Sequence, residues 1–209
     1  YVSFDTEKDQ EVYVKISISY DSVDKAVAFL NDEIPDFDFD AVRDHAKETW
    51  DDMFDRVEVG EDATEDQKTQ FYTALWHSNV QPRNRVEDHG NWDDYYTIWD
   101  SWKTEFPFLT LTRPDMVRDN INSFINRFED HGYISDAYIQ GHESVCGQGG
   151  NDIDNIIADA YIKGVEGVDW EKAYEVMKFD AENFRTRSYV DRGYQAAGQP
   201  QRTANDLYK

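Results

Sequence analysis

The sequence predicts a mainly α protein, with one strand followed by about six helices joined by loops. Three observations carry that expectation. Apolar residues recur at helical spacing through most of the chain, a period of two is confined to residues 12–20, and cap and stop signals bracket the helical runs.

The elements follow in order. Val12, Val14, Ile16, Ile18 and Tyr20 alternate with polar or smaller side chains, apart from Tyr13, which marks a half-buried strand. A lone strand cannot bury a face or satisfy its edges. Residues 1–21 are therefore expected to close a sheet that lies upstream, and the chain to be a fragment of something larger. Ser22 to Leu30 reads as a short helix with Val23, Ala26, Val27 and Leu30 on one face, broken by Pro35. After Asp40, the residues Val42, Ala46, Trp50, Met53, Phe54 and Val57 keep helical spacing. Thr64-Glu65-Asp66-Gln67 is a capping-box pattern opening a helix with Phe71, Leu75 and Trp76, which Pro82 ends. Residues 83–113 read as an irregular, aromatic-rich loop. Pro114 then starts a helix with Met116, Val117, Ile121, Phe124, Ile125 and Phe128 as its stripe and Gly132 as its stop. A second long loop, 132–151, precedes a helix with Ile153, Ile156, Ile157, Ala160 and Tyr161, closed by Gly164. The last helix begins near Asp169. Long loops in a compact helical domain tend to carry function.

Composition excludes several classes. The chain has 209 residues, 21 Lys+Arg against 44 Asp+Glu, and a net charge of -23. That balance argues against a nucleic-acid or anionic-membrane partner, which needs clustered cations. The acid excess suits a solvated surface, adaptation to high salt, or attraction of cations, and composition does not separate these. No apolar run reaches the length of a membrane span, and residues 1–10 have no signal-peptide pattern. The one cysteine, Cys146, excludes an internal disulfide and reads as a buried or incidental thiol.

Candidate chemistry is sparse. Asp36, Asp38 and Asp40 have the opening spacing of a calcium loop, but Ala41 and Lys47 stand where it needs Gly and Glu. They read instead as acids near a helix start. The five histidines are scattered without ligand spacing and read as surface or satisfied groups; Gly141-His142-Glu143 is a weak candidate to line a cavity. The glycine loop Gly147-Gln148-Gly149-Gly150-Asn151 precedes a helix but has no P-loop lysine, and Asp152 and Asp154 would repel phosphate. A neutral polyol, bound by backbone amides with Gln148 and Asn151, suits it better. In Trp99-Asp100-Ser101-Trp102, an indole suits the C–H face of a sugar and a carboxylate suits its vicinal hydroxyls. Core aromatics with an Asp cap fit the same residues equally well.

Three phrases together resemble glycoside hydrolase family 92, the exo-acting alpha-mannosidases. They are Gln67 to Trp76 followed by Pro82, Tyr96 to Lys103 continuing to Pro114, and Gln148-Gly149-Gly150-Asn151 leading to Ile157 to Gly164. The resemblance implies an N-terminal β-sandwich ahead of an (α/α)6 toroid. Residues 1–21 would be the last strand or strands of the sandwich, 22–62 linker helices, and 63–209 the N-terminal part of the toroid. It implies a calcium-dependent, inverting hydrolase of terminal alpha-mannosidic bonds. Inversion needs an acid and a base roughly 6.5–9.5 Å apart. In the family those groups and most calcium ligands come from later in the helical domain, so no catalytic or metal residue is assigned here. Asp100 then resembles a sugar-contacting residue of the terminal-mannose subsite, with Trp99 beside it and Gln148, Gly149, Gly150 and Asn151 bordering the pocket. Lys103 stands where relatives usually carry Arg, so a bidentate contact is lost there. Expected partners are a mannose-containing glycan and the remainder of the same polypeptide, in a secreted or cell-surface setting. A non-catalytic helical sugar-binding or scaffold protein, and another inverting (α/α)6 glycosidase such as a trehalase-like or glucoamylase-like enzyme, are the competing readings.

Overall fold

In the computed structural model, residues 1–85, 92–139, 141–143 and 152–182 are described. Among them, seven α-helices and one two-stranded hairpin form the regular structure. They fall into two compact units, one of residues Tyr1–Asp55 and one beginning at Arg56.

In the first unit, α1 (Val23–Glu33) starts at Ser22, whose hydroxyl accepts from the Lys25 amide at 3.2 Å. The second helix, α2 (Phe39–Phe54), is capped two residues before the expected Asp40, by Asp38, which accepts from the Ala41 amide at 3.0 Å. Lys15 donates to the carbonyls of Ile34 and Pro35 at 2.8 and 3.1 Å, which ties the extended N-terminal segment to the end of α1. The expected strand at 12–20 is not formed. Its alternation persists as exposure, with Val14, Ile16 and Ile18 65–76% exposed. A strand needs a ladder partner, and none of the described residues provides one.

The second unit contains α3 (Glu65–His77), a 3-10 turn (Ser101–Lys103), α4 (Glu105–Thr112), α5 (Pro114–His131), the hairpin β1 (Tyr138–Ile139) with β2 (His142–Glu143), α6 (Asp152–Ile162) and α7 (Trp170–Glu182). The capping box of α3 is present in both directions: the Gln67 amide donates to Thr64 Oγ1 at 3.3 Å and the Thr64 amide donates to Gln67 Oε1 at 2.8 Å. Helix α3 ends at His77, before Pro82. Gly132, at φ 72°, closes α5 in the left-handed conformation that its missing Cβ allows.

Helix α4 corrects the expectation of an irregular 83–113. Its Phe106, Leu109 and Thr110 are buried, and Phe108 packs on the core. Its buried residues share one face, but half-buried Phe108 and exposed Leu111 put large apolar side chains on the others, so no amphipathic period is there to read. Pro107 sits in its first turn, where an amide has no intrahelical partner to lose. The loop 132–151 is likewise not wholly irregular, since it contains the β1–β2 hairpin in the register Tyr138 to Glu143 and Ile139 to His142.

Helices α5 and α6 each pack against α4 and α7, enclosing the core. Val117, Ile121 and Phe124 of α5 meet Ile153, Ile156, Ile157 and Ala160 of α6 and Ala173 and Val176 of α7. A polar layer runs beside this apolar one. Arg127, on the buried stripe of α5, is 0% exposed. It donates to both carboxylate oxygens of Glu143 at 2.7 and 2.9 Å, to the Ser135 carbonyl at 3.1 Å and to the Tyr95 hydroxyl. Its guanidinium also lies 4.2 Å from the centre of the Tyr138 ring. Burial opposes its charge, Tyr95 and Glu143 outweigh that, and its pKa is raised. Next to it, buried Asp93 accepts from Arg85 at 2.8 Å and from Ser123 at 3.1 Å. Tyr95 and Tyr138 exchange backbone hydrogen bonds of 2.9 Å, adding a third extended stretch beside the hairpin.

Removing one member of a buried ion pair strands the other charge. Arg127→Ala should therefore cost about 3–5 kcal/mol in urea unfolding, while Thr64→Ala, which loses only a cap, should cost about 1 kcal/mol.

Candidate functional site

The second unit encloses an open cavity of about 420 Å³. Two stretches build it, residues 77–82 and 95–106. His77 closes α3, and Gln81 and Pro82 follow it. Tyr95, Thr97 and Ile98 come from the segment that pairs with β1. Asp100, Ser101, Thr104 and Glu105 span the 3-10 turn and the first residue of α4. Tyr95 and Ile98 are 2% and 1% exposed, so the inner wall is core. The Arg127 hydrogen bond to the Tyr95 hydroxyl fixes that wall from behind.

The Trp99-Asp100-Ser101-Trp102 phrase divides. Asp100 and Ser101 line the cavity. Trp99 is 45% exposed, outside the set of lining residues. Trp102 packs against the core, with the Lys103 ammonium 5.7 Å from its ring centre. Asp100 precedes the 3-10 turn yet makes no capping hydrogen bond. Among the described residues its carboxylate has no hydrogen-bond or ion-pair partner. The reading of Trp99 as core and Asp100 as a cap is thus not what the structure forms. Gln148, Gly149, Gly150 and Asn151, and Cys146 with them, lie outside the described residues.

Two groups missed by sequence reasoning share the cavity with Asp100. His77 is one, stacked edge-on against Trp76 at 4.8 Å. Glu105 is the other: burial pushes its pKa up from 4.5 to about 7. A buried hydroxyl, Thr97 Oγ1, also lines the cavity without a hydrogen-bond partner among the described residues. The only signal for Glu105 was its place just after the Trp99 to Lys103 phrase; Lys103 itself is not among the lining residues.

Other candidates take structural roles. Glu143, proposed with Gly141 and His142 as a cavity group, is spent on Arg127; His142 is exposed. The amides of Asp152 and Ile153 at the start of α6 already donate to the Asp136 carboxylate, at 3.2 and 3.3 Å. Asp38 caps α2, and Asp40 meets Arg43 at 2.6 Å on the surface. Among the described residues no group of three or more His, Cys, Asp or Glu side chains is arranged to hold a metal.

Residues 25–207 match the model of the Glycosyl hydrolase family 92 catalytic domain. The chain belongs to glycosyl hydrolase family 92. The mainly helical structure agrees with that assignment. This family 92 chain is also similar to an uncharacterized secreted glycosidase of Arthroderma benhamiae, with 26% identity over 179 residues, 82% of this chain and 20% of that protein. The chain therefore spans about a fifth of the length of that relative. No helix among the described residues is long and apolar enough to cross a membrane.

A carboxyl whose pKa is raised in the folded state binds its proton more tightly there than in the unfolded chain. Its contribution to stability is then full below pH 4.5 and lost as pH rises through about 7. The stability of wild type minus that of Glu105→Gln, measured by denaturant unfolding across this range, should fall with rising pH and level off above it.

Proposed function

We propose that this chain is part of a calcium-dependent, inverting exo-alpha-mannosidase that hydrolyses terminal alpha-mannosidic bonds of glycans. The observation that carries the reading is Asp100, an unpartnered carboxylate on the wall of a sugar-sized cavity in a family 92 chain. Its volume, about 420 Å³, falls within the roughly 300–1,000 Å³ range of small-molecule sites. Asp100 accepts hydrogen bonds from ring hydroxyls, Ser101 and Gln81 supply further polar contacts, and exposed Trp99 offers an apolar face at the rim. A net charge of -23 suits a neutral ligand over a phosphorylated one.

In this proposal, residues 1–21 belong to an N-terminal β-sandwich, 22–62 are linking helices and 63–209 begin an (α/α)6 toroid. Gln148, Gly149, Gly150 and Asn151 border the same sugar. In this proposal the ion's ligands and the catalytic acid and base come from elsewhere in the polypeptide, and among the described residues no group of three or more His, Cys, Asp or Glu is arranged to hold a metal. The relative's description as secreted supports a secreted or cell-surface location.

The intact natural polypeptide should release nitrophenol from an aryl alpha-mannoside and lose turnover in EDTA. Asp100→Ala should lower kcat/KM about 10- to 100-fold, the value of a hydrogen bond to a charged group. The 209-residue chain alone should be inactive. Cleavage of alpha-glucosides in place of mannosides, or sugar binding without cleavage, would sink the mannosidase reading.

A further inference from the structure

Glu105 occupies an unusual position. It is the first residue of α4, where a helix dipole favours an anion, and it lines the Asp100 cavity. Yet its carboxyl has no hydrogen bond or ion pair among the described residues, and burial is the cause of its raised pKa of about 7. Several charged groups lie on the cavity or on neighbouring elements. His77 and Asp100 share the cavity. Lys103 of the 3-10 turn lies over Trp102, and Arg113, between α4 and α5, bonds Asn79. Asp115 of α5 lies 3.7 Å from Arg56. Lys163, just after α6, bonds Asp159 and the Pro107 carbonyl. None of them contributes to the Glu105 shift.

We propose that Glu105 is a second ligand-contacting carboxyl of the Asp100 cavity, one that hydrogen-bonds a hydroxyl of the bound sugar and contributes to its selection. The proposal rests on the glycosidase reading above. Glu105 is a half-buried carboxyl with no protein partner among the described residues, and beside it in the same wall the fully buried Thr97 hydroxyl is orphaned. A neutral polyol satisfies both. Below pH 7, Glu105 is an O–H donor as well as an acceptor, whereas the Asp100 carboxylate only accepts. The pair therefore reads neighbouring hydroxyls in opposite senses. Above pH 7, ionised Glu105 loses its donor, and sugar binding weakens.

The test uses the intact natural polypeptide, with KM for an aryl alpha-mannoside and calorimetric binding of methyl alpha-mannoside and methyl alpha-glucoside, each from pH 5.5 to 8. Wild-type KM should rise with pH through about 7. Glu105→Gln, which keeps a neutral donor, should remove that inflection while holding KM within about twofold at pH 5.5. Glu105→Ala should raise KM about 3- to 10-fold with a smaller change in kcat, the loss of one neutral hydrogen bond. If wild type cleaves the mannoside but Glu105→Gln keeps the inflection and Glu105→Ala binds normally, the Glu105 proposal is overturned and the mannosidase reading stands. If wild type selects the glucoside, the same variants decide the proposal on that sugar. If no glycoside binds, both readings fall.

Discussion

One buried ion pair organises the second unit. Arg127 has no solvent contact, so every hydrogen it donates must meet a protein acceptor. Glu143 of the hairpin, Ser135 before it, and Tyr95 from the preceding loop supply those acceptors. Each comes from a different stretch, and all must be in place together. A packing that shifts any of them leaves a charge uncompensated in a low-dielectric interior, which is costly whatever the net worth of the pair. Asp93, held by Arg85 and Ser123, extends the same constraint toward the start of the segment that holds Tyr95.

That constraint reaches the cavity through Tyr95. Its hydroxyl belongs to the Arg127 network, its ring packs edge-on against Phe124 at 6.0 Å, and it lines the cavity. Two residues on, Thr97 continues the wall, and Asp100 follows at the start of the 3-10 turn. A wall anchored this way holds its polar groups in fixed positions, as the proposed contact with a sugar's hydroxyls requires. The surface acids differ in kind. Asp40, Asp44 and Asp51 meet Arg43 and Lys47 in exposed pairs that add little to stability.

Much of the fold was legible in local sequence. The capping box at Thr64 and Gln67, the glycine stop at Gly132 and the apolar stripes of α5, α6 and α7 all follow rules that span a few residues. Asn120 and Arg127 interrupt the α5 stripe one heptad apart, on its buried face. Helix α4 escaped because apolar Phe108 and exposed Leu111 stand outside its buried face and blur the amphipathic period. The strand at 12–20 had its period but no ladder partner among the described residues.

For the site, the sequence by itself determined the Trp99-Asp100-Ser101-Trp102 phrase, whose residue types suit a sugar ring and a capped aromatic core alike. Tertiary structure decided the rest. It placed His77, Thr97 and Glu105 around Asp100, left Trp99 outside the lining, and spent Glu143 on Arg127. The physical reason is that helical and strand periods relate residues a turn or a pleat apart, whereas a cavity joins distant segments. The properties of its groups then depend on burial, which no local pattern encodes.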